Sequence, residues 1–206
     1  MELPRDTMTD TDIYDYIERL KIPHFRGVYM SDELPLTPLP QECGVLNFQP
    51  HNMEGSHWVA WFKNGEDRYY FDSYAGIAPY QLQIYLKTQE EIKLDQAVIK
   101  RSAITIQHDN TTECGGLCIF VLFHLTRGVP FSMILNILQE RYEERIKPNQ
   151  KNPPLIIKQN ILELKPIWSW MRTKQVALQN GKNNWQKSYS PLGPFTFHDV
   201  KYMPLM

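Results

Sequence analysis

Apolar and polar residues are most clearly patterned at residues 57–72, where two β-prone runs, WVAWF and RYYFD, flank Asn64 and Gly65. An Asn-Gly pair between two such runs is the strongest short-range signal for a two-residue hairpin turn, because both turn residues must adopt positive φ. The pattern therefore predicts that these two residues form the loop and that His57 lies directly opposite Asp72. Directly opposed residues have Cβ atoms about 4.5–5.5 Å apart, so this imidazole and carboxylate could form a hydrogen bond.

Both faces of the predicted hairpin are mainly apolar. One face carries His57, Val59, Trp61 and Tyr70, and the other carries Trp58, Ala60, Phe62, Tyr69 and Phe71. A strand pair that is apolar on both sides belongs in the middle of a covered sheet. We therefore predict that this hairpin is central to its sheet.

The spacing of apolar residues predicts the other elements. Helices are predicted over residues 10–20, 80–95, 114–128 and 130–146, and strands over 44–49 and within 97–107. The almost wholly apolar 114–128 segment favours a buried helix, and the proline-rich 25–40 segment is typical of an extended surface connection. We predict an α+β fold with a central mixed β-sheet that contains the 58–72 hairpin.

Length and composition limit the organisation of the chain. Its 206 residues, 42% of them apolar, suffice for one core domain with an appendage. We assign 1–146 to the core and 147–206 to a C-terminal extension packed on the core or wrapped around it. No run of about 18 apolar residues is present, so no membrane span is expected, and the acidic N-terminus lacks the apolar stretch of a secretory signal. Three cysteines are too few for a disulfide framework and favour a reducing compartment.

Charge is unevenly distributed along the chain. Residues 1–100 hold 9 basic and 16 acidic side chains, a balance of −7, whereas residues 147–206 hold 9 basic and 2 acidic side chains, a balance of +7. A basic extension on an acidic body could bind nucleic acid or an acidic partner. The alternative is an ordinary solvated surface.

Cys114 is the candidate nucleophile. It follows a polar loop and opens the apolar helix, where unpaired N–H groups and the helix dipole stabilise a thiolate. An imidazolium at His57 would lower the pKa of this thiol further. Gly115 and Gly116 leave room for a substrate backbone. Gln107, at a predicted strand end, could donate its amide to an oxyanion together with the backbone N–H of Cys114.

Each of these residues also has a purely structural interpretation. An isolated His–Asp pair can merely stabilise a sheet edge, and a cysteine that opens an apolar run is commonly a small core residue, as we expect for Cys118. A zinc site is disfavoured, because Cys-x3-Cys inside a helix without a second Cys or His pair is a poor zinc signature. The combined order of His57, Asp72, Gln107 and Cys114 is far more specific than any one of them.

This order of residues resembles the adenovirus-type (adenain-like) maturation proteases and, more distantly, the Ulp1-type proteases that remove ubiquitin-like modifiers. His57 followed by Trp58 matches the His-Trp of both families, and FDSY matches the segment that bears the carboxylate. The interval from Gln107 to Cys114 has the adenovirus spacing, one residue longer than is usual in the Ulp1 branch. Weaker matches at PHFRGVY, CGVLN and RSAI extend the resemblance over residues 20–125.

The resemblance implies a Ulp1/adenain-like cysteine protease fold with the nucleophile at the N-terminus of a buried helix. It also implies a role for each matching residue. Those roles are the base His57, the carboxylate Asp72, the oxyanion donor Gln107, the nucleophile Cys114, and substrate contacts at Trp58, Gly115 and Gly116.

The resemblance further implies a cysteine endopeptidase that cleaves capsid precursors after small residues such as glycine during virion maturation. Its source would be a DNA virus, a virophage or a Polinton-like element. We expect a monomer in the host cytoplasm, nucleus or viral factory and in the virion, neither secreted nor membrane-bound. The alternatives are a protease that deconjugates ubiquitin or a related modifier, and an inactive scaffold or binding protein with the same fold.

Two features bear on regulation. Adenovirus proteases are activated by a viral peptide bound through a disulfide and by DNA. The segment after RSAI lacks a cysteine, so the disulfide mode is not supported, whereas DNA could act through the basic extension. No cofactor or metal is expected to be required. Glu113 would raise the pKa of the neighbouring thiol if it pointed inward, so we expect it to face solvent or a substrate group.

Overall fold

The computed structural model describes residues 3, 6–94, 96, 98–109 and 111–146. The predicted basic extension, 147–206, lies outside the described residues. The helices are α1 (Asp10–Arg19), α2 (Tyr80–Leu86), α3 (Gln89–Lys93), α4 (Cys114–Leu125) and α5 (Phe131–Ile146). The strands are β1 (Phe25–Tyr29), β2 (Gln41–Asn47), β3 (Trp58–Asn64), β4 (Asp67–Phe71) and β5 (Lys100–Arg101).

The strands form one mixed five-stranded sheet in the order β1-β2-β3-β4-β5. The β1–β2 and β4–β5 pairs are parallel, and the β2–β3 and β3–β4 pairs are antiparallel. The hairpin of β3 and β4 therefore lies in the interior of the sheet, with β3 at its centre. The predicted α+β class and the central position of the hairpin are confirmed.

The two faces of the sheet bury separate apolar clusters. One cluster includes Trp58, Ala60 and Phe62 and packs with α4, all twelve residues of which are buried. The other includes Val59 and Trp61 and packs with α2. The predicted division of the hairpin into two apolar faces is confirmed, and the helix that begins at Cys114 is buried against the middle of the sheet.

The predicted register of the hairpin is wrong by two positions. Asn64 pairs with Asp67, so the loop residues are Gly65 and Glu66 instead of Asn64 and Gly65. Gly65 has φ +58°, whereas neither of its neighbours has a positive φ. This is the pattern of a type II′ turn, which needs glycine only at its first central position. Because the shift is even, every side chain keeps its predicted face.

Several predicted boundaries change. The 80–95 helix is two helices, because Lys87 is extended and Thr88 is the N-cap of α3, with its own capping box to Glu91. The strand expected within 97–107 is limited to Lys100–Arg101. The 25–40 connection contains β1, which the sequence pattern missed. Within the described part of the chain, the helices are all too short or too polar to cross a membrane.

Candidate active site

His57 and Asp72 meet at the open end of the hairpin. His57 immediately precedes β3, and Asp72 immediately follows β4. His57 Nε2 lies 2.8 Å from Asp72 Oδ1, within hydrogen-bonding distance. In the observed register the two residues are diagonal neighbours on one face, not directly opposed, and a long side chain spans that distance. The structure therefore brings together the predicted base and carboxylate.

The carboxylate of Asp72 is held by the turn that follows it. The backbone N–H of Tyr74 donates to Oδ1 at 2.8 Å, and that of Gly76 donates to Oδ2 at 3.1 Å. A Cβ on Gly76 would lie 2.4 Å from Oδ2, so only glycine allows this close approach. Asp72 is buried, and each of its carboxylate oxygens accepts a hydrogen bond from the backbone. The carboxylate is therefore held in place as the acceptor for His57.

Side chains from the RSAI segment brace this turn. The Ser102 hydroxyl donates to the backbone oxygen of Asp72 at 2.8 Å, and it accepts from the backbone N–H of Asp72 at 3.0 Å. Arg101 donates to the carbonyl of Ala75 at 2.9 Å, beside a left-handed backbone with φ +59° at Ala75. The match at RSAI thus corresponds to residues that support the carboxylate.

Cys114 is the first residue of α4, and its sulfur forms a hydrogen bond with His57. His57 Nε2 is bonded to Asp72, which leaves Nδ1 as the ring nitrogen for the sulfur. The backbone N–H groups of Trp58 and Gly115 also donate to the sulfur. The side chains of Cys114, His57 and Asp72 therefore form one hydrogen-bonded line.

The surroundings favour an ion pair between the thiol and the imidazole. Burial alone would raise the pKa of Cys114, but the hydrogen bonds from His57 and from the two backbone N–H groups outweigh it and hold that pKa below its ordinary value. Burial alone would lower the pKa of His57, but its bonds to Asp72 and Cys114 raise it to about 9. Between these two pKa values the thiolate and the imidazolium coexist.

The pKa of Asp72 is shifted as this ion pair requires. Burial would raise it, but the hydrogen bonds from His57 and from the backbone N–H groups of Tyr74 and Gly76 lower it below its ordinary value. Asp72 therefore stays ionised at neutral pH and stabilises the imidazolium. A thiolate next to an oriented imidazolium is the arrangement needed for nucleophilic attack on a carbonyl.

Gln107 is buried beside these residues, but in a loop rather than at the end of a strand. Its Oε1 accepts a hydrogen bond from the Ser73 hydroxyl at 2.7 Å, and its Nε2 donates to the carbonyl of Thr111 at 2.7 Å. The Thr111 carbonyl can only accept a hydrogen bond, so this contact fixes which end of the amide is the donor. Gln107 is thus held by a hydrogen bond at each end of its amide.

Glu113 does not face solvent or a substrate, so the expectation for this residue is wrong. Its carboxylate is buried and lies 2.9 Å from the Arg141 guanidinium. Arg141 belongs to α5, twenty-eight residues away along the chain. A paired carboxylate raises a nearby thiol pKa less than a lone one, because the guanidinium compensates its charge. The residue before the nucleophile therefore joins α4 to α5.

The three residues predicted to contact substrate, Trp58, Gly115 and Gly116, have different surroundings in the structure. The Trp58 indole is buried and donates to the carbonyl of Met8 at 2.8 Å. A Cβ on Gly115 would meet the Met8 sulfur at 3.0 Å, so the space beside Gly115 is filled by the segment preceding α1. Gly116 is buried within α4. Roles of these three residues in substrate binding stay predictions.

Aromatic rings next to His57 were missed by the sequence pattern. The Phe48 ring lies 5.6 Å from the imidazole, and the Tyr74 ring lies 5.0 Å from it. Tyr74 is the last residue of FDSY, so its place in that motif was the available signal. Within the described residues, no cluster of three or more His, Cys, Asp or Glu side chains is arranged to hold a metal ion.

Comparison with known proteins identifies a viral protease as a relative. The chain is 30% identical to a protease of Bovine adenovirus 2 over 108 residues, which are 48% of this chain and 49% of that protein. The chain therefore spans about half the length of this relative. The predicted resemblance to the adenovirus-type proteases is confirmed.

Among solved structures, the chain is similar to crystal structures of the ASFV pS273R protease and of its selenomethionine form. The TM-scores are 0.46 and 0.43, with 18% and 17% identity, and each match covers 70% of both chains. No protein-family model matches the chain.

Proposed function

We propose that this chain is a cysteine endopeptidase that cleaves precursor proteins during maturation of a virus particle. The observation that carries the proposal is the hydrogen-bonded line of Cys114, His57 and Asp72 at the start of a buried helix. The similarity of the chain to an adenovirus protease supports proteolysis as the reaction. The same similarity supports the viral setting, and the capsid precursors are part of the proposal by analogy with the adenovirus-type proteases.

The reaction uses the ion pair as its resting state. The Cys114 thiolate attacks the scissile carbonyl, and the negative charge moves to the carbonyl oxygen. The backbone N–H of Cys114 is among the first N–H groups of α4, which lack acceptors within the helix, so it can donate to this oxyanion. The side-chain amide of Gln107, buried beside these residues, is assigned as the second donor to the oxyanion.

Proton transfer is assigned to His57. The imidazolium protonates the leaving amine as the tetrahedral intermediate collapses to an acyl-enzyme at Cys114. Neutral His57 then takes a proton from the water that hydrolyses the acyl-enzyme. Asp72 keeps the ring oriented and stabilises the imidazolium throughout.

The test is cleavage of a mixed peptide library by the full chain, with the new termini identified by mass spectrometry. Wild type and the matched control Cys118→Ala should produce the same set of termini, and Cys114→Ala should produce none. Residues before the cut should be small, with glycine enriched. Equal processing by Cys114→Ala, or no processing by wild type, would contradict the proposal.

Deconjugation of a ubiquitin-like modifier is the alternative with the same chemistry. A ubiquitin-like protein carrying a C-terminal electrophile distinguishes the two. Under the proposed function this probe labels Cys114 no faster than a small electrophile of the same reactivity. Rapid labelling that depends on the modifier would favour deconjugation.

A further inference from the structure

Glu113 occupies a position from which a carboxylate is drawn to the start of a helix. It is the N-cap of α4, and its backbone carbonyl accepts a hydrogen bond from the N–H of Leu117 at 2.9 Å. The first N–H groups of a helix lack acceptors within it and carry partial positive charge, so they attract a nearby carboxylate. Within the described part of the chain, however, the Glu113 side chain makes no capping hydrogen bond. Its carboxylate is directed elsewhere.

Arg141 of α5 holds this carboxylate. Its guanidinium donates to Oε1 of Glu113 at 2.9 Å, and only 8% of the Arg141 side chain and 3% of the Glu113 side chain are exposed. Removing one partner of a buried ion pair is costly, because the remaining charge must find another partner. For a released Glu113 carboxylate, the donors nearest along the chain are the N–H groups at the start of α4.

A second contact fixes α5 against the same loop. The ring of Tyr142, the residue after Arg141, stacks on the ring of His108, with the ring centroids 4.5 Å apart and the planes inclined by 28°. The loop that joins Gln107 to α4 is therefore held by α5 near both of its ends, at His108 and at Glu113. These contacts set the position of the Arg141 guanidinium relative to the site.

The start of α4 is also where the proposed reaction needs its donors. The backbone N–H of Cys114 is assigned to the oxyanion, and a helix N-terminus favours any anion placed there. A carboxylate bound to this terminus would carry the same charge as the oxyanion and would occupy the same N–H groups. The pairing of Glu113 with Arg141 leaves those groups to the substrate.

We propose that Arg141 is a positioning residue for the reaction, which holds the Glu113 carboxylate away from the start of α4 so that this helix terminus receives the oxyanion of the substrate. The inference rests on the proposed function. Arg141 acts through Glu113 and donates nothing to the substrate itself. Without the guanidinium, the carboxylate turns to the first N–H groups of α4 and competes with the oxyanion.

Two small reagents separate a blocked oxyanion site from a damaged thiolate. In acetylation by p-nitrophenyl acetate, the Cys114 sulfur bonds to the carbonyl carbon, the carbonyl π electrons move to oxygen, and collapse of this oxyanion expels p-nitrophenolate. Alkylation by iodoacetamide needs only the thiolate and forms no oxyanion. Mass spectrometry of the full chain measures both, at a pH where the alkylation rate of each variant no longer rises. Labelling of the buried Cys43 and Cys118 reports unfolding.

Arg141→Met should slow acetylation of Cys114 by about 10²-fold, the size expected for loss of an oxyanion donor, and leave alkylation within about threefold of wild type. Adding Glu113→Ala should restore acetylation to within about threefold of wild type, because the competing carboxylate is then absent. The double variant lacks the whole ion pair between α4 and α5. A merely structural role for that ion pair therefore predicts no such rescue.

The matched control is Arg68→Met. Arg68 is also buried and paired with a glutamate, Glu91 of α3. It lies beside the turn of the hairpin, at the end opposite to His57 and Asp72. This variant should change neither rate by more than about threefold, so a slowing of acetylation alone by Arg68→Met would contradict a specific role for Arg141.

The outcomes distinguish the two proposals. If wild type is acetylated at Cys114 and Arg141→Met reacts as fast, this inference is overturned and the proposed function is untouched. Equal slowing of acetylation and alkylation would also overturn it, because the oxyanion site would not be the step affected. If wild-type Cys114 is alkylated but never acetylated, the proposed function fails, and the inference fails with it.

The double variant keeps the test decisive if Arg141→Met unfolds, because it removes both buried charges of the pair together. A double variant in which Cys43 and Cys118 stay unlabelled should be acetylated at nearly the wild-type rate. Acetylation slower by about tenfold or more in that folded variant would overturn the inference, since no carboxylate is then left at position 113 to compete.

Discussion

Two cysteines one helical turn apart on α4 have opposite chemical environments. Cys114, the first residue of the helix, has its pKa held below the ordinary value by hydrogen bonds that overcome its burial. Cys118 is completely buried, and burial raises its pKa well above the ordinary value. The two cysteines share the same helix and the same residue type, so the difference arises from the groups around each sulfur.

The backbone of a single residue, Trp58, contacts both sulfurs. Its N–H donates to Cys114, which stabilises a thiolate, whereas its carbonyl accepts from the Cys118 thiol at 3.4 Å, which stabilises the protonated form. His57, directly before Trp58, adds a cation for Cys114. One strand thus presents donors to the helix terminus and an acceptor to the helix interior. A cysteine at this terminus becomes a nucleophile, while one a turn later is a core residue.

Removing His57 should have the largest effect on this contrast. His57→Ala leaves the Cys114 thiolate without its cation and without the acid for the leaving amine, so proteolysis should fall by about 10⁴-fold or more. Peptide cleavage monitored by mass spectrometry measures this.

The matched control is His51→Ala. His51 also pairs with an aspartate, Asp32, at 2.6 Å, but on the exposed surface. This variant should cleave at the wild-type rate. Comparable losses in both variants would show that the contrast between the cysteines does not depend on the imidazole.

An extra methyl group at Gly76 should have an intermediate effect. Gly76→Ala would place a Cβ 2.4 Å from Asp72 Oδ2, which must move and tilt the His57 ring. We expect kcat to fall by about 10²-fold, the size expected for a misplacement of about 1 Å, and KM to change little. Steady-state kinetics measure both, with circular dichroism as a check on folding. An unchanged kcat in a folded variant would contradict the role assigned to the turn.

Replacing the second cysteine should have the smallest effect. Cys118→Ala removes a buried thiol that donates to the Trp58 carbonyl within the core, so cleavage should stay within about threefold of wild type while the free energy of unfolding falls by about 1 kcal/mol. Urea denaturation and the cleavage assay measure the two quantities. A large loss of cleavage without loss of stability would mean that Cys118 takes part in the reaction.

Local sequence patterns were sufficient to predict part of the hairpin that carries His57 and Asp72. The alternation at 58–71 predicted which side chains share a face, because a strand has a side-chain period of two whatever its register. It did not predict the register, since Asn-Gly permits a type I′ turn, while the structure needs a positive φ only at Gly65. The pairing of His57 with Asp72 was predicted correctly although the register was not, because an even shift preserves the face.

Features that depend on distant residues were missed. The partner of Glu113 is Arg141, on the next helix, and nothing near Glu113 in the sequence indicates it. β1 was missed because its parallel pairing with β2 is a contact across the prolines of the intervening loop. Ser73 and Tyr74 were within a recognised motif, but their hydrogen bonds to Gln107 and to the carbonyl of His108 depend on a loop more than thirty residues later.

The pH dependence of alkylation at each cysteine tests the central claim most directly. Iodoacetamide reacts with thiolates, and labelling of the native chain at Cys114, Cys118 and Cys43 can be quantified by mass spectrometry. Burial raises the pKa of Cys43 to about 12, so it serves with Cys118 as an internal reference. The lowered pKa of Cys114 predicts a rate that stays level as pH falls below about 8.5, the ordinary thiol value, and drops only below the pKa of Cys114 itself. Cys118 and Cys43 should remain unlabelled until the chain unfolds. A Cys114 rate that falls tenfold per pH unit throughout the range below about 8.5, as for a free thiol, would contradict the account.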